Sequence, residues 1–427
     1  MKEKKNILVF PCGSEIGLEV YRSLKNSTYF NLIGGSSIDD HGRFVFDNYI
    51  SGIPYVTDAC FIPNMKRIVN EYKISAIYPA TDMVITYLKR AEKELGCRVI
   101  SPCLETTEIC LSKKKTYSCL SGIVPVPQEY KILESINHFP VFGKYDVGHS
   151  SIGTQRLDDE SMVKDYRLHH PDAVICDYLP GDEYTVDCFT KSDGTLLFYG
   201  VRVRARIKNG ISVRTIPVED GNDEFGILIR KINEAIPFQG AWFAQFKRDE
   251  KGNLCLLEIA ARLGGSSALY RAQGINFAQM TLFDAFGYDV SVSRNNYYVE
   301  MDRALDNVFK IDMQYSEVFV DFDDCLLIDQ EYVNTDLVAF LYQCLNEHIK
   351  LTLLTHHDKN IHDSLKAIRL DNLFDRIIHI DRSHQKSDYI DNEKSIFIDD
   401  SFAERMAVAR INKIPVFSVD MINMLKK

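Results

Sequence analysis

The chain has 427 residues, which is too long for one ordinary hydrophobic core, so we expect several domains. Its 45% hydrophobic and 26% charged residues are typical of a soluble globular protein, and a net charge of −10 argues against nucleic acid as the main partner. The 11 cysteines are widely spaced and include no CxxC pair, which indicates reduced thiols rather than a disulfide framework or a zinc site.

The start of the chain, MKEKKNILVFPCGSE, carries too short an apolar run for a signal peptide. No apolar run approaches the ~18 residues that a membrane-spanning helix needs. We therefore expect a cytoplasmic protein without a membrane partner.

The first 112 residues alternate short apolar runs (NILVF, NLIGG, AIYPAT, CRVIS) with helical stretches at Glu15–Lys25 and Met83–Leu95. This alternation predicts a parallel sheet covered on both faces. The turn PCGSEIG follows the first strand, at the edge where open sheets bind ligands. It lacks the GxGxxG pattern, which argues against a dinucleotide site.

Residues 113–312 read differently. The segments VICDYLPGDEYTVDCFT, TLLFYGVRVRARIKN and GNLCLLEIAAR alternate apolar and polar residues between turns, which predicts antiparallel strands. Helices are sparser, and the clearest are Asp223–Ala235 and Phe277–Phe286.

Residues 315–427 return to strand–helix alternation, after a junction at MDRALDNVFKIDMQYS. We therefore predict a third domain with a doubly wound parallel sheet. Its strands are expected at Glu317–Val320, Lys350–Leu354, Arg376–Ile380, Ser395–Ile398 and Pro415–Val419, and its helices at Asn334–Asn346, Asn360–Leu370 and Ser401–Asn412.

The stretch FGKYDVGHSSIGTQ, residues 142–155, is rich in glycine and serine and has a lysine just ahead of its polar turn. Small residues let main-chain N–H groups close on a phosphate, and a lysine adds positive charge. A surface hairpin loop collects the same residues. The stretch by itself leaves both interpretations open.

Four further motifs accompany this loop: CLSKKKTYSCL before it, then DYLPGDEYTVD, RVRARIKNG and QFKRDEKGNLCLLEIAARLGG. In this order the five motifs resemble the ATP-grasp superfamily, particularly the branch similar to the large subunit of carbamoyl-phosphate synthetase. The resemblance covers roughly residues 6 to 300. It implies a Rossmann-like pre-ATP-grasp domain at 1–112 and an ATP-grasp domain with antiparallel sheets at 113–312.

The resemblance also implies a site for ATP and Mg²⁺. The nucleotide would be held by Lys113, Lys144, His149, Ser150, Ser151 and Gly153 at the phosphates, by Asp177, Tyr178 and Leu179 beside adenine, and by Glu183 at the ribose hydroxyls. Gln245 and Glu258 match the metal ligands, and oxygen donors are what Mg²⁺ prefers.

The resemblance also implies two arginines that act on the transferred group, with three candidates for them. Arg204 or Arg206 would neutralise charge on the γ-phosphoryl group, and Arg262 would face phosphate and acyl-phosphate oxygens. One departure from the pattern Glu-x-Asn-x-Arg is Ala260, which cannot coordinate a second Mg²⁺.

Each motif alone has an ordinary explanation, such as a solvated lysine or an exposed sheet face with alternating arginines. Five motifs in order favour ATP binding. By the resemblance, the enzyme would activate a small-molecule carboxylate as an acyl phosphate, which an amine then attacks.

The stretch VFVDFDDCLLID ends an apolar strand in clustered aspartates, which repel one another unless a cation binds them. With the residues that follow, it resembles the haloacid dehalogenase-like superfamily over about 110 residues. The motif residues are Asp321, Asp323, Thr355, Lys386, Asp399 and Asp400.

The resemblance implies that Asp321 attacks phosphorus and Asp323 protonates the leaving oxygen. Thr355 and Lys386 would hold phosphoryl oxygens, and Asp399 or Asp400 would complete a Mg²⁺ site with Asp321 and Asp323. The short spacing from Asp321 to Thr355 leaves no room for a cap domain, and Cys325 replaces the more usual threonine. A stabilising aspartate cluster, or an inactive domain kept for assembly, is the alternative.

The sequence thus predicts an ATP-grasp carboxylate–amine ligase fused to a small phosphatase-like domain, with substrates that include phosphorylated sugar or amino-acid derivatives. The resemblance points towards surface-polysaccharide or secondary-metabolite biosynthesis. The rivals are a phosphatase with a degenerate ATP-binding half and a nucleotide-sensing assembly module. The sequence leaves the oligomeric state open, with a homodimer as one alternative.

Overall fold

The structure is a computed structural model that describes residues 4–148, 152–208, 210–305, 308–309 and 311–426. The chain divides into two compact units, Met1–Asp306 (the first unit) and Asn307–Lys427 (the second unit). Each unit has hydrophobic clusters of its own. The unit boundary falls within the junction expected at 301–316, and the finer domain limits at 112, 312 and 315 stay predictions.

The first unit begins with a five-stranded parallel sheet in the order β3-β2-β1-β4-β5, which confirms the parallel arrangement expected from the sequence. Alternate residues of β1 enter two different hydrophobic clusters, Ile7 and Val9 on one face and Leu8 and Phe10 on the other. The strands are β1 (Lys5–Phe10), β2 (Phe30–Gly35), β3 (Tyr49–Ile50), β4 (Ile74–Pro79) and β5 (Arg98–Val99).

The accompanying helices are α1 (Glu15–Leu24), α2 (Gly42–Val45), α3 (Phe61–Glu71), α4 (Asp82–Arg90), α5 (Glu92–Leu95) and α6 (Leu104–Leu111). Helix α1 begins after PCGS because the Ser14 side chain accepts a hydrogen bond from the Gly17 N–H at 3.0 Å. The single helix expected at Met83–Leu95 is two helices, since Ala91 leaves helical geometry with ψ near 6°.

A smaller antiparallel sheet follows, in the order β7-β6-β8. It comprises β6 (Val141–Lys144), β7 (Gln155–Leu157) and β8 (Val174–Asp177), with α7 (Lys113–Leu120) before it and α8 (Glu160–His169) between β7 and β8. Ser112 caps α7 by accepting a hydrogen bond from the Lys115 N–H.

The large sheet of the first unit has the order β13-β12-β9-β10-β11-β14, and its pairs are antiparallel, as expected. It comprises β9 (Glu183–Thr190), β10 (Leu196–Lys208), β11 (Ile211–Val218), β12 (Gly240–Arg248), β13 (Leu254–Ala260) and β14 (Met301–Asp302), with helices α9 (Glu224–Ala235), α10 (Ala268–Ala272) and α11 (Phe277–Ala285). In this register Gln245 lies opposite Glu258 on one side and Thr185 on the other.

The second unit is built on a five-stranded parallel sheet in the order β19-β18-β15-β20-β21. Its strands are β15 (Glu317–Val320), β18 (Lys350–Thr355), β19 (Arg376–His379), β20 (Ser395–Ile398) and β21 (Val416–Phe417), and a short hairpin consists of β16 (Leu327–Ile328) and β17 (Tyr332–Val333). Its helices are α12 (Thr335–Asn346), α13 (Ile361–Ala367), α14 (Phe402–Ile411) and α15 (Ile422–Leu425). Between Asp321 and Thr355 the chain holds only this hairpin, α12 and β18, which matches the expected absence of an inserted cap at that point.

Among the described residues, no helix is both long and apolar enough to cross a membrane.

Candidate active sites in the two units

The first unit contains a cavity between its small and large antiparallel sheets. Residues of α7, β6 and β8 form one side, and residues of β9, β10, β12 and β13 form the other. The lining residues from the sequence prediction are Lys113, Lys144, Asp177, Tyr178, Leu179, Glu183, Arg204, Gln245 and Glu258. The fold therefore brings together residues that are far apart in the chain.

Lys144 lies at the end of β6 and only 5% of it is exposed. Its Nζ donates a hydrogen bond to the Tyr117 hydroxyl at 2.5 Å, and that hydroxyl donates to the Leu257 carbonyl at 2.7 Å. Burial raises the pKa of Tyr117, so the hydroxyl stays neutral at ordinary pH. Lys144 is thus a buried lysine at the end of a strand, just ahead of the Gly/Ser stretch.

Lys113, the first residue of α7, extends into the same cavity. Its Nζ lies 3.9 Å from Glu258 Oε2 and 3.3 Å from the Gly148 carbonyl. Burial lowers the pKa of Lys113, while the charge of Glu258 opposes this shift. Asp146 fixes this helix start, because its carboxylate accepts hydrogen bonds from the Ser112 hydroxyl and the Lys114 N–H.

The Gly/Ser loop is described only at its ends. The predicted phosphate contacts His149, Ser150 and Ser151 lie outside the described residues. Gly153 has a φ of +70°, and a Cβ there would stand 2.4 Å from the Tyr145 ring, so this position requires glycine. The neighbouring Ile152 and Thr154 line the cavity, whereas Gly153 itself does not.

The segment expected beside adenine begins at Asp177, the last residue of β8, and continues through the two residues after this strand. The Asp177 carboxylate is engaged within the protein, accepting from the Tyr130 hydroxyl at 2.7 Å and the Gln128 N–H at 2.9 Å. Tyr178 and the largely buried Leu179 supply apolar lining, and the Lys247 ammonium lies 5.8 Å from the Tyr178 ring centroid. This end of the cavity therefore has an apolar and aromatic part, formed by Tyr178 and Leu179.

Two residues that the sequence assigned to different parts of the nucleotide form an ion pair. Arg204 donates a short hydrogen bond to Glu183, and also donates to the Gly210 carbonyl at 2.7 Å. Of the two candidate arginines, Arg204 lines the cavity, whereas Arg206 pairs with Asp302 outside the cavity lining and keeps 56% of its side chain exposed. The geometry favours Arg204 for contact with a bound nucleotide.

Gln245 and Glu258 lie directly opposite each other on β12 and β13, and both line the cavity. Their side-chain oxygens are hard donors that suit Mg²⁺, and the Lys113 and Lys144 side chains line the same cavity. The residues present therefore fit a magnesium–phosphate group. Ala260 is buried at the end of β13, opposite Phe243, and offers no ligand atom.

Arg262 is not among the residues that line the cavity. It pairs instead with Asp82, beside the parallel sheet. Its guanidinium donates to both carboxylate oxygens of Asp82 at 2.8–3.0 Å and lies over the Phe243 ring. Asp82 is the first residue of α4, so the pair joins the large sheet to the carboxyl edge of the parallel sheet.

The second unit gathers its predicted motif residues at the carboxyl ends of β15, β18 and β20, together with Lys386 from a short 3-10 helix after β19. Lys386 Nζ lies 2.9 Å from Asp321 Oδ1 and 2.6 Å from Asp399 Oδ2, and all three residues are at least 95% buried. Burial alone would lower the pKa of Lys386, but the two carboxylates more than offset this and raise it. The lysine therefore stays charged between two aspartates.

Asp399 and Asp400 differ in what holds them. Asp399 is fully buried and uses both oxygens, accepting from Lys386 and from the Ser401 N–H at 2.8 Å. Burial and then the Asp321 charge raise the pKa of Asp399 to about 6. Asp400 is more exposed, and burial and Asp321 raise its pKa as well.

One oxygen each of Asp321 and Asp400 and the Cys325 sulfur lie within 4.8 Å of one another. Burial raises the pKa of the Cys325 thiol, so it stays protonated and is no ligand for Mg²⁺, which prefers oxygen. The two carboxylates fit a magnesium ion, and the arrangement favours Asp400 over Asp399 as the second ligand.

Thr355, at the end of β18, is fully buried, and its Oγ1 has no hydrogen-bond partner among the described residues. Asp323 accepts hydrogen bonds from His357 Nδ1 at 2.9 and 3.0 Å. A buried hydroxyl that makes no hydrogen bond lowers the stability of the folded protein, unless a bound group supplies the missing partner. Thr355 thus offers a hydrogen bond to a group that enters this site.

The sequence prediction missed three residues that hold the sites together. Tyr117 lies four residues after Lys113 on α7, a spacing that puts both on one helix face and could have indicated it. His357 follows Thr355 by two residues. Asp146 carried no signal of its own, because its role depends on contacts with a helix more than thirty residues earlier.

Comparisons with known proteins bear on the first unit. A family described as ATP-grasp in the biosynthetic pathway with Ter operon matches residues 169–304. No curated protein matches the chain.

Several solved structures share the fold. The biotin carboxylase domain dimer of Hydrogenobacter thermophilus 2-oxoglutarate carboxylase, in complex with MgADP, ADP and bicarbonate, is 18% identical, with a TM-score of 0.59 over 70% of this chain and 74% of that chain. The L-amino acid ligase from Bacillus licheniformis is 18% identical, with a TM-score of 0.55 over 67% and 75%. N5-carboxyaminoimidazole synthetase from Staphylococcus aureus, complexed with ADP, is 16% identical, with a TM-score of 0.56 over 68% and 79%.

The family match and the similar structures agree with the two antiparallel sheets and the cavity between them. The ATP-grasp fold expected from the sequence is therefore confirmed. The chain contains a domain with the ATP-grasp fold.

Proposed function

We propose that the first unit is an ATP- and Mg²⁺-dependent ligase that joins a small-molecule carboxylate to an amine through an acyl phosphate. One observation carries this proposal. Gln245 and Glu258 face each other in the cavity that also holds Lys113 and Lys144, so two oxygen donors for a metal lie near two cations for phosphate.

When bound, Mg²⁺-ATP would supply the phosphoryl group that activates the carboxylate. Tyr178 and Leu179 offer adenine an apolar wall. Glu183 has two carboxylate oxygens, so it can keep Arg204 on one and accept a ribose hydroxyl on the other. Lys113 and Lys144 offset phosphate charge in a largely buried place, where that charge is least screened.

We assign binding of the substrate carboxylate to Arg262, which pairs with Asp82. The Arg262 guanidinium donates hydrogen bonds to the carboxylate oxygens of Asp82, and a substrate carboxylate or an acyl phosphate offers oxygens that can accept the same hydrogen bonds. The amino-acid ligase and the carboxyaminoimidazole synthetase among the similar structures support small carboxylate and amine substrates.

We also propose that the first sheet is a Rossmann-like pre-ATP-grasp domain and that the enzyme belongs to the branch similar to the large subunit of carbamoyl-phosphate synthetase. The same proposal holds that the protein is cytoplasmic, acts on phosphorylated substrates and forms a homodimer. The matched family's description places its members in a biosynthetic pathway, which fits an enzyme of polysaccharide or secondary-metabolite synthesis.

ADP release tests the ligase. The full chain is incubated with Mg²⁺-ATP and a panel of amino acids and uronic acids, in pairs with ammonia and amino acids as amine donors. We expect ADP release that depends on both a carboxylate and an amine, and that falls in Glu258→Gln. Nucleotide binding with no ADP release across the panel would favour the sensing module or the degenerate ligase.

We also propose that the second unit is a Mg²⁺-dependent phosphomonoesterase of haloacid dehalogenase-like type. The buried Thr355 hydroxyl has no hydrogen-bond partner among the described residues, and it ends the strand beside the one that leads to Asp321, which pairs with Lys386. This favours a phosphatase site over a merely stabilising set of aspartates. Asp321 would attack phosphorus, Lys386 and Thr355 would hold phosphoryl oxygens, and Asp321 and Asp400 would hold the metal.

Hydrolysis of sugar phosphates, nucleotides and p-nitrophenyl phosphate by the full chain tests this assignment. We expect activity that requires Mg²⁺ and disappears with a chelator. Beryllium fluoride, which mimics the aspartyl phosphate, should bind at Asp321 when Mg²⁺ is present. A protein that neither hydrolyses any of these esters nor binds beryllium fluoride would indicate a structural role.

A further inference from the structure

The loop after β18 places a histidine against the carboxylate expected to act as general acid. His357 Nδ1 lies 2.9 and 3.0 Å from the two oxygens of Asp323, and His357 Nε2 lies 2.8 Å from the Ser364 Oγ on α13. His357 is 8% exposed, whereas the Asp323 side chain is 41% exposed. A buried ring thus holds a carboxylate that otherwise has room to rotate.

The ring itself is held from several sides. Ser364 fixes its far nitrogen, and the Phe322 ring packs edge-on at a centroid distance of 4.8 Å. The His357 carbonyl lies 2.5 Å from His379 Nε2, which anchors the backbone of the loop to β19. The ionised form of Asp323, which remains after it has given up its proton, can only accept, so Nδ1 carries the proton of this hydrogen bond. When Asp323 is protonated, its carbonyl oxygen still accepts from the same Nδ1–H.

We propose that His357 is a positioning residue for Asp323, an inference that rests on the proposed phosphatase function. By donating from Nδ1 across both carboxylate oxygens, it holds Asp323 towards the leaving oxygen of a substrate on Asp321. Ser364 keeps the ring in the orientation this requires. The sequence motifs assign no role to His357 or Ser364.

The proton balance of the two half-reactions leaves His357 unchanged. In the first, an Asp321 oxygen bonds to phosphorus, the bond from phosphorus to the leaving oxygen breaks, and the Asp323 proton goes to that oxygen. In the second, a water oxygen attacks phosphorus, the bond to Asp321 breaks, and Asp323 takes the water's proton. His357 keeps its Nδ1 proton through both steps and acts only by orientation.

Two substitutions separate the contact to Asp323 from the contact to Ser364. The amide nitrogen of His357→Asn can stand where Nδ1 stood, and that of His357→Gln can stand where Nε2 stood. If His357 positions Asp323, His357→Asn keeps most of the activity and His357→Gln loses it. Ser364→Ala, a milder change, should cause a smaller loss in the same direction.

The measurement is kcat/KM for two esters, an alkyl phosphate with a poor leaving group and p-nitrophenyl phosphate with a good one. General acid catalysis matters most for the poor leaving group. We expect His357→Gln to lower kcat/KM for the alkyl phosphate about 30-fold or more, and for p-nitrophenyl phosphate only about threefold. Thermal unfolding of each variant, with and without beryllium fluoride and Mg²⁺, shows that the protein is folded and that Asp321 still binds.

Equal losses in His357→Asn and His357→Gln, or equal losses on both esters, would overturn the positioning role while leaving the phosphatase in place. A wild-type chain that hydrolyses neither ester overturns the proposed function, and the inference falls with it. Selective loss in His357→Gln, restored in His357→Asn, supports both.

Discussion

The two candidate sites assemble their residues differently. In the second unit Asp321, Thr355 and Asp399 stand at the ends of three neighbouring parallel strands, so the sheet itself sets their spacing. In the first unit the residues come from two sheets and a helix, and charged groups assigned to the nucleotide are paired within the protein, as Arg204 is with Glu183.

This difference shows which sites motifs can predict. A parallel sheet with short crossovers converts motif order directly into proximity, because the carboxyl ends of its strands meet at one edge. A cavity between sheets brings together residues whose partners depend on long-range packing. Substitutions should therefore act sharply and separately in the second site, and in a more distributed way in the first.

The largest effect is expected from Asp321→Asn. The amide attacks phosphorus poorly and brings no negative charge to the metal, so phosphatase activity should fall by ~10³-fold or more. Nucleotide binding should be unchanged, since each unit has its own hydrophobic clusters. Asp329→Asn, an exposed acid on the same segment, is the matched control and should keep full activity. Equal activity of the two variants would remove Asp321 from the chemistry.

Lys144→Ala tests the first site. A buried lysine that carries phosphate charge is expected to contribute about 10- to 100-fold to Mg²⁺-ATP affinity, measured by calorimetry. Tyr117→Phe, which removes only the hydroxyl that Lys144 contacts, should weaken binding less. The control is the exposed turn lysine variant Lys251→Ala. Unchanged affinity in Lys144→Ala would count against the phosphate assignment.

The fold was predictable where periodicity was strong. Both parallel sheets followed from strand–helix alternation, and Glu317–Val320 and Ser395–Ile398 were predicted at their observed bounds. The break at Ala91 and the two-residue strands β16 and β17 were missed, because neither interrupts the apolar pattern.

Part of the residue set predicted for the first site lines one cavity, but the contacts that these residues make within the protein were not predictable. Lys113, Gln245 and Glu258 meet in one cavity as the ordered motifs indicated. The pairing of Arg262 with Asp82 joins positions 180 residues apart in sequence, and no local pattern records such a contact. The segment RVRAR does not distinguish Arg204 from Arg206, because both are arginines in the same alternating pattern. Only the structure shows that Arg204 lines the cavity and that Arg206 is exposed.

Arg204 and Arg206 lie on the same strand, β10, so substitutions of the two residues can be compared directly. Arg204→Ala should lower ATP-dependent turnover by ~10²-fold or more, because a cation near the transferring phosphoryl group is lost. Arg206→Ala removes an exposed ion pair with Asp302 and should stay within about fivefold of wild type. Initial rates of ADP release at saturating ATP are the measurement. The reverse order would mean that β10 turns its other arginine to the substrate during turnover.

Ala260→Asn should have the smallest effect on Mg²⁺-ATP binding, and it tests most directly which residues hold the metal in the first site. The asparagine restores an oxygen beside Glu258 on the same strand, so Mg²⁺-ATP binding should not weaken and should tighten by at most about tenfold. The added atoms enter a place where Ala260 is 5% exposed, which costs about 1–3 kcal/mol of folding stability and lowers the melting temperature. Calorimetry with Mg²⁺-ATP and thermal unfolding separate the two effects, and Ala261→Asn, a buried neighbour, controls for overpacking alone. If Ala260→Asn abolishes binding while Ala261→Asn keeps it, the alanine leaves space for a bound group, and Gln245 and Glu258 hold the metal without a third protein ligand.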